Sequence, residues 1–214
     1  TLTLENGEQI ILEKGAPLQT QNANSDGSQI VYKAGKQHTT KIKYNNLTIP
    51  RGGQFQITLS DGTKVWLNSE TQLKFPVKFI EGKTRMVELV YGEAYFDVSP
   101  STEHKGAKFK VLNQEQDIEV LGTEFNIKAY KDEANIYTTL VEGKVEVTTQ
   151  NGKEILEPNQ QSNVNLSSQN ITISTANVYN EVSWKEGIFS FNDKSLKEIM
   201  KVLSRWYDME VEFT

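Results

Sequence analysis

Apolar and polar residues alternate in short segments along most of the chain, and turn-forming residues end each segment. The clearest pair is residues 4–12 and 59–67, which match position for position around an Asn-Gly and an Asp-Gly dipeptide. These dipeptides suit the type I′ turn of a two-residue hairpin, because both central residues need a positive φ. Alternation with a period of two is typical of strands that bury one face. The pattern therefore predicts many short antiparallel strands.

Closely spaced alternating segments continue from residue 42 to residue 173, with no useful helical periodicity before residue 190. Such spacing predicts a mainly β fold, either a β-sandwich, a barrel or a β-solenoid-like domain. Residues 15–29 are rich in Gly, Asn and Ser, which predicts a long loop there.

The periodicity changes near residue 190. Six apolar residues follow at helical spacing and define the apolar stripe: Leu196, Ile199, Met200, Leu203, Trp206 and Tyr207. Ser195 and Glu198 have the spacing of a capping box, with Asp193 as a competing N-cap. The flanking segments 188–191 and 209–213 predict strands, so this tail is predicted to form a βαβ unit. A lone βαβ unit has little core, so it either begins a small α+β domain or docks on the β domain.

The charge and composition of the chain argue against nucleic-acid binding and against a membrane-spanning helix. The chain has 214 residues and a formal net charge of -5, which gives no support for nucleic-acid binding. Lys74, Lys78, Lys83 and Arg85 form a modest basic cluster, which we interpret as a solvated strand face. No apolar run approaches the length of a membrane-spanning helix.

The sequence contains no recognisable set of residues suited to catalysis or to metal binding. The chain has no cysteine, and its two histidines, His38 and His104, lack a second ligand at metal-binding spacing, so we predict no metal and no cofactor. Glu93 and Asp97 have the residue types of a glycosidase pair, but we interpret them as ordinary solvated acids. No nucleophile elbow or phosphate-binding glycine loop is present. We therefore predict that the chain is not an enzyme.

Five motifs follow one another in the central part of the chain: residues 49–68, 85–98, 109–111, 120–127 and 140–145. In this order they resemble the FecR domain of FecR-type anti-sigma factors, and the resemblance is close over about residues 47–150. Residues 184–207 are similar to the start of the small domain that follows FecR domains. That small domain is related to the short N-terminal signalling domains of secretins and TonB-dependent receptors.

The resemblance implies three parts. Residues 1–46 would be a membrane-proximal β and loop segment that packs on the FecR domain, residues 47–176 the FecR β domain, and residues 182–214 a partial secretin/TonB-like α+β domain. It also implies a periplasmic location, with the full protein anchored to the inner membrane by an upstream helix that is absent from this sequence.

The partners follow from the same resemblance. An outer-membrane TonB-dependent transporter would sense a nutrient such as an iron chelate or a glycan, and its signalling domain would contact this chain. An extracytoplasmic-function (ECF) sigma factor would be reached through a cytoplasmic segment absent from this sequence. We expect no nucleic-acid partner and no membrane insertion by this chain.

Partner contact is predicted in the tail, where free strand edges at residues 188–191 and 209–213 could accept a strand. The candidate partner-binding residues are Phe189, Phe191, Trp206, Tyr207, Met209 and Val211. By contrast, the strand aromatics of the FecR motifs are predicted to be core: Trp66, Tyr95, Phe96 and Phe125.

Two other functions remain open at this point. In a carbohydrate-binding or adhesin-like extracytoplasmic β module, exposed Trp66, Tyr91 and Tyr95 would form a sugar platform, and burial of these aromatics would remove it. In a structural module that polymerises through sheet edges, the mass in solution would depend on concentration.

Overall fold

The structure is a computed structural model that describes residues 1–13, 15–33 and 42–213. These residues form eighteen strands: β1 (Leu2–Thr3), β2 (Gln9–Ile10), β3 (Leu18–Gln19), β4 (Ala23–Ser25), β5 (Gln29–Tyr32), β6 (Tyr44–Ile49), β7 (Phe55–Thr58), β8 (Lys64–Leu67), β9 (Thr71–Pro76), β10 (Arg85–Asp97), β11 (Phe109–Leu112), β12 (Asp117–Val120), β13 (Glu124–Ala129), β14 (Asn135–Glu142), β15 (Val145–Thr149), β16 (Gly152–Leu156), β17 (Gln160–Asn165) and β18 (Ile171–Thr175). Helices α1 (Val178–Val182) and α2 (Leu196–Tyr207) follow, and 3-10 turns span Ser101–His104 and Ser183–Glu186. The predicted mainly β fold is confirmed.

The strands form one continuous curled sheet with two arms that share β10. In the first arm the order is β2, β1, β6, β9, β10, β11, β12, β15, β16. In the second arm the order is β3, β4, β5, β7, β8, β10, β13, β14, β17, β18. Pairing is antiparallel throughout, except that β5 pairs with β7 and β10 with β11 in parallel.

β10 passes from one arm to the other at a bend. Its ladder with β9 shifts register between Leu89 and Tyr91, and the next residue, Gly92, has a φ of 99°. A Cβ atom at Gly92 would lie 2.3 Å from Thr71 Oγ1, so only glycine fits this approach of the two backbones.

The core fills the space between the two arms. Phe96 of the second arm stacks on Phe125, with ring centroids 5.1 Å apart, and lies 6.4 Å from Phe109 of the first arm. Phe96, Phe125 and Tyr95 are buried as predicted, whereas Trp66 is only half-buried.

One member of the basic cluster is not solvated. The Arg85 and Asp61 side chains are each 2% exposed, and Arg85 Nη1 donates to Asp61 Oδ2 at 2.8 Å. Arg85 also donates to the carbonyls of Ser99 and Ala107. The interpretation of Arg85 as part of a solvated face was wrong, because a distant hairpin carboxylate and two carbonyls satisfy it inside the fold.

The prediction of a long loop at residues 15–29 was also wrong. This segment holds β3, β4 and the start of β5, all in the second arm. Asp26 Oδ1 accepts from the amides of Ser28 and Gln29 at 2.8 and 2.9 Å, which closes a tight turn. Polar turn residues are dense here because the strands that they connect are very short.

Candidate partner-binding surface

Helix α2 begins as the sequence predicts. Ser195 Oγ accepts from the amide of Glu198 at 3.3 Å, and the Glu198 carboxylate accepts from the Ser195 amide at 2.8 Å. This capping box makes Ser195 the N-cap rather than Asp193. The helix ends at Tyr207, and its C-cap residue, Asp208, has a left-handed conformation with a φ of 49°.

The two strands expected beside α2 do not form. Residues 188–191 and 209–213 belong to no strand of the described chain. The Ile188 amide instead donates to the Ser183 carbonyl at 3.2 Å, and the Met209 amide donates to the Ser204 carbonyl at 3.1 Å. The tail is therefore not a βαβ unit, because the amides at the start of both segments close local turns instead of a ladder.

The tail docks on the β domain through a buried arginine. Arg205 is 3% exposed, and its Nη1 donates to Glu133 Oε1 at 2.8 Å while its Nη2 donates to Asp132. Its guanidinium also lies 3.6 Å from the centroid of the Tyr130 ring. Burial lowers the pKa of Arg205 and the nearby Glu133 carboxylate raises it, with a net rise, so the side chain stays charged.

The C-terminal end of α2 is held by the loop after β6. Arg51 Nη2 donates to the carbonyls of Ser204 and Met209, each at 2.9 Å. The Gly52 amide donates to the Arg205 carbonyl at 2.7 Å. The last carbonyls of a helix lack partners within the helix, and a cation there complements the helix dipole. Arg51 and Gly52 of the first FecR motif therefore bind the C-terminal end of α2, a role that the sequence did not reveal.

The charged side of α2 faces the β domain, whereas the two ends of its apolar stripe, Leu196 and Tyr207, are exposed. Lys201 Nζ lies 3.0 Å from Asp132 Oδ2, one helical turn before Arg205. At about 100° per residue, the apolar stripe is centred roughly 180° from Lys201 and Arg205. Consistent with this geometry, Leu196 and Tyr207 are 67% and 65% exposed.

Four of the six candidate residues form a cluster of aromatic rings near the C-terminal end of α2. Phe189 lies at the centre, with its ring centroid 4.4 Å from Trp206 and 6.0 Å from both Phe191 and Tyr207. Met209 and Val211 follow the helix and are half-buried. We define the aromatic tail surface as the cluster and the first residue of the helix: Phe189, Phe191, Leu196, Trp206 and Tyr207.

A cavity of about 410 Å³ lies between the tail and the second arm. Trp184, Phe189 and Trp206 line it from the tail, and Glu93 and Lys128 line it from the β domain. Trp206 Nε1 is buried there and has no hydrogen-bond partner among the described residues.

Glu93 is buried beneath the tail. Its carboxylate accepts from Asn68 Nδ2 at 2.8 Å and from Asn126 Nδ2 at 3.0 Å, while Trp184 Nε1 donates to Asn126 Oδ1 at 3.2 Å. Loss of hydration raises the pKa of Glu93. Asp97, by contrast, is partly exposed and lies 3.5 Å from Lys64.

The interpretation of Glu93 as a solvated acid was wrong, because the tail covers the outer face of β10 at this point. No sequence signal pointed to this network, since its members lie far apart in the chain.

The aromatics of the possible sugar platform are not presented to solvent together. Tyr95 is buried, and its ring packs edge-on against Trp66 with centroids 5.6 Å apart. Lys185 Nζ lies 4.7 Å from the Tyr95 ring centroid, and Lys131 Nζ lies 3.8 Å from that of Tyr91. A flat stacking surface for a sugar is therefore absent at these residues.

The described residues contain no group of three or more side chains suited to hold a metal ion. His104 Nε2 lies 2.8 Å from Ser99 Oγ, and His38 lies outside the described residues. No helix in the described ranges is long and apolar enough to cross a membrane.

Comparison with known proteins agrees with this architecture. The family model "FecR protein" matches residues 45–146, and the model "FecR, C-terminal" matches residues 188–214. Two crystal structures of a protein named as an anti-sigma factor from Parabacteroides distasonis each share 32% sequence identity and a TM-score of 0.71 with the chain. They cover 77% and 78% of this chain, which in turn covers 76% of theirs. Curated proteins give no match. The chain therefore belongs to the FecR family of anti-sigma factors.

Proposed function

We propose that this chain is the periplasmic, signal-receiving part of a transmembrane anti-sigma factor. Its partner is the signalling domain of an outer-membrane TonB-dependent receptor that reports nutrient status. The signal then reaches an ECF sigma factor through a cytoplasmic segment that is not part of this sequence. The chain takes part by binding and catalyses no reaction.

One observation carries this proposal: α2 docks on the β domain through its charged side and leaves Leu196 and Tyr207 of its apolar stripe exposed. An amphipathic helix ordinarily buries its apolar face, and a large exposed apolar patch usually marks an interaction site. Here ion pairs of Arg205 and Lys201 hold the opposite face. The exposed members of the aromatic tail surface, Phe191, Leu196 and Tyr207, are therefore free to meet a partner. This surface lies within the segment that matches the C-terminal FecR model.

The contact is made by side chains rather than by an added strand. Residues 188–191 and 209–213 form no strand, so the edges required for strand addition are absent there. Phe191 and Tyr207 instead offer large aromatic areas at a low cost in conformational entropy.

A titration of the chain against the receptor's periplasmic signalling domain tests this proposal. Leu196→Glu and Tyr207→Glu place a charge on the aromatic tail surface, at side chains that make no core contact with the β domain. Each is expected to weaken binding by about tenfold or more, because the charge must be desolvated in the complex.

Leu121→Glu is the matched control. Leu121 is 56% exposed but lies in the turn between β12 and β13, outside the tail. This variant is expected to keep the affinity of the wild type. Unchanged affinity in both tail variants, with circular dichroism spectra like that of the wild type, would refute the proposal.

The carbohydrate-binding alternative finds no support in the structure, because Tyr95 is buried. A glycan screen becomes informative only if the chain fails to bind the receptor domain.

A further inference from the structure

The segment from residue 158 to residue 180 carries no charged side chain, in a protein of which 24% of the residues are charged. It contains β17, β18 and the start of α1. β18 lies at the end of the second arm and pairs, among the described strands, only with β17. The uncharged segment therefore includes an open sheet edge.

The ladder fixes which backbone groups face this edge. The Asn165 amide donates to the Asn170 carbonyl at 3.2 Å, and the Ala176 amide donates to the Asn159 carbonyl at 2.9 Å. In an antiparallel pair, residues that bond to the neighbour alternate with residues that point away. Every second residue from Asn170 to Ala176 thus bonds to β17, while Ile171, Ile173 and Thr175 point their N–H and C=O groups outward.

β18 has none of the usual protections of an edge strand. Natural edges are shielded by charged residues, prolines or bulges. β18 contains neither a charged residue nor a proline, and its pairing with β17 is regular over five residue pairs. One edge strand of the first arm, β16, differs because it carries Lys153 and Glu154, and Lys153 lies 2.6 Å from Glu146 of β15.

We propose that β18 pairs antiparallel with β18 of a second copy of this chain, with Ile173 opposite its counterpart. The strand has near-symmetric chemistry about Ile173, because Thr172 would face Ser174 and Ile171 would face Thr175. Pairs of β-branched and hydroxyl side chains favour a sheet. The outward N–H and C=O groups of Ile171, Ile173 and Thr175 on each copy would form about six main-chain hydrogen bonds between the two strands.

A second copy is the occupant that the near-symmetric chemistry of β18 favours, and charge does not oppose it at this edge. Two copies that each carry a net charge of -5 repel one another over most of their surfaces. At this edge no like charges would meet. Because the pairing is isologous, each copy uses its own edge once, and assembly stops at a dimer rather than continuing as a polymer. The two second arms then form one sheet across the dimer.

Cysteine cross-linking tests both the pairing and its register, because the chain has no native cysteine. Ile173→Cys should form a disulfide-linked dimer on mild oxidation, since facing Cα atoms in such a pair lie about 5.5 Å apart. Ile171→Cys is the matched control. In this register its counterpart lies four residues away, roughly 13 Å, so it should remain uncoupled. Equal coupling at both positions, or none at Ile173→Cys, would overturn the register.

Sedimentation equilibrium of the full chain tests the dimer itself. The wild type and Ile173→Val should approach the dimer mass as concentration rises. Ile173→Pro should stay monomeric with an unchanged melting temperature, because it removes only an outward N–H group, as prolines in edge strands do. A wild type that is monomeric at all concentrations, or an Ile173→Pro variant that still dimerises, would overturn the proposal.

Discussion

The guanidinium of Arg205 lies 3.6 Å from the centre of the Tyr130 ring, so a helix of the tail places its most buried side chain on the β domain. Tyr130 is itself fixed, because its hydroxyl donates to the Ser69 carbonyl at 3.1 Å. Asp132 and Glu133 complete the site as acceptors. The docking of the tail is therefore ionic and aromatic, and Leu196 and Tyr207 of the apolar stripe remain exposed.

Replacement of Arg205 should release the tail while the β domain remains folded. Arg205→Met removes charged hydrogen bonds to Asp132 and Glu133, which are worth about 2 kcal/mol in a buried setting. We expect faster tryptic cleavage after Lys194. Lys201→Ala is the control, because its ion pair is more exposed and contributes less than about 1 kcal/mol. Equal cleavage rates in wild type and Arg205→Met would contradict this account.

Glu93 should make stability depend on pH. Burial raises its folded-state pKa above the ordinary value of 4.5, so its protonated form is favoured in the fold. Its contribution to stability is then fully present below the unfolded-state pKa and is lost as the pH rises through the folded-state pKa.

Glu93→Gln provides the reference for this measurement, because glutamine does not titrate. The unfolding free energy of the wild type minus that of Glu93→Gln should fall as the pH rises above about 4.5 and then level off. Urea unfolding at a series of pH values gives this difference. A difference that is flat, or that grows with pH, would show that burial does not govern the titration of Glu93.

The bend in β10 should tolerate only glycine. Gly92→Ala places a Cβ atom 2.3 Å from Thr71 Oγ1 and 2.6 Å from the Glu70 carbonyl oxygen, in addition to the strain of a positive φ. We expect a loss of about 2–4 kcal/mol in urea unfolding. Gly82→Ala separates the two effects, since Gly82 also has a positive φ but open space around it. That variant should lose about 1 kcal/mol; an equal loss in both variants would contradict the close approach.

The effects of substituting Arg85 and Asp61, the buried ion pair, on the free energy of unfolding should be strongly coupled. Arg85→Met leaves the Asp61 carboxylate buried without its cation, which costs about 3–5 kcal/mol. The double variant Arg85→Met/Asp61→Asn removes the stranded charge and should recover part of this loss. A double-mutant cycle by urea unfolding measures the coupling. Additive effects of the two substitutions would mean that the pair does not act as a unit.

Local signals in the sequence were sufficient for α2 and for most strands of the central part of the chain, but not for β3 and β4 or for the tail, where two predicted strands do not form. Hairpin dipeptides and the Ser195–Glu198 capping box each act within a few residues, and the structure contains turns at both dipeptides and the capped helix. The turns are not of type I′, because Gly7 and Gly62 have a positive φ but Asn6 and Asp61 do not. Arg85 also had a usable signal, because it shares the strand face of Val87 and Leu89, which are buried. Its burial could therefore have been anticipated from alternation alone.

The orientation of α2 could not be predicted in this way. An apolar stripe ordinarily predicts which side faces the core, but here the partners of Arg205 lie 72 and 73 residues earlier in the chain. Glu93 was missed for a related reason. Its strand face would be solvated in an isolated sheet, and only the distant tail, through Trp184, covers it.

Hydroxyl-radical footprinting of the chain, with and without the receptor's signalling domain, tests the central claim most directly. The account predicts that Phe191, Leu196 and Tyr207 lose reactivity in the complex. Tyr179, which is also exposed but lies in α1 outside the aromatic tail surface, should keep its reactivity. Protection confined to the β arms, with Tyr207 and Leu196 as reactive as in the free chain, would contradict the assignment of this surface to the partner.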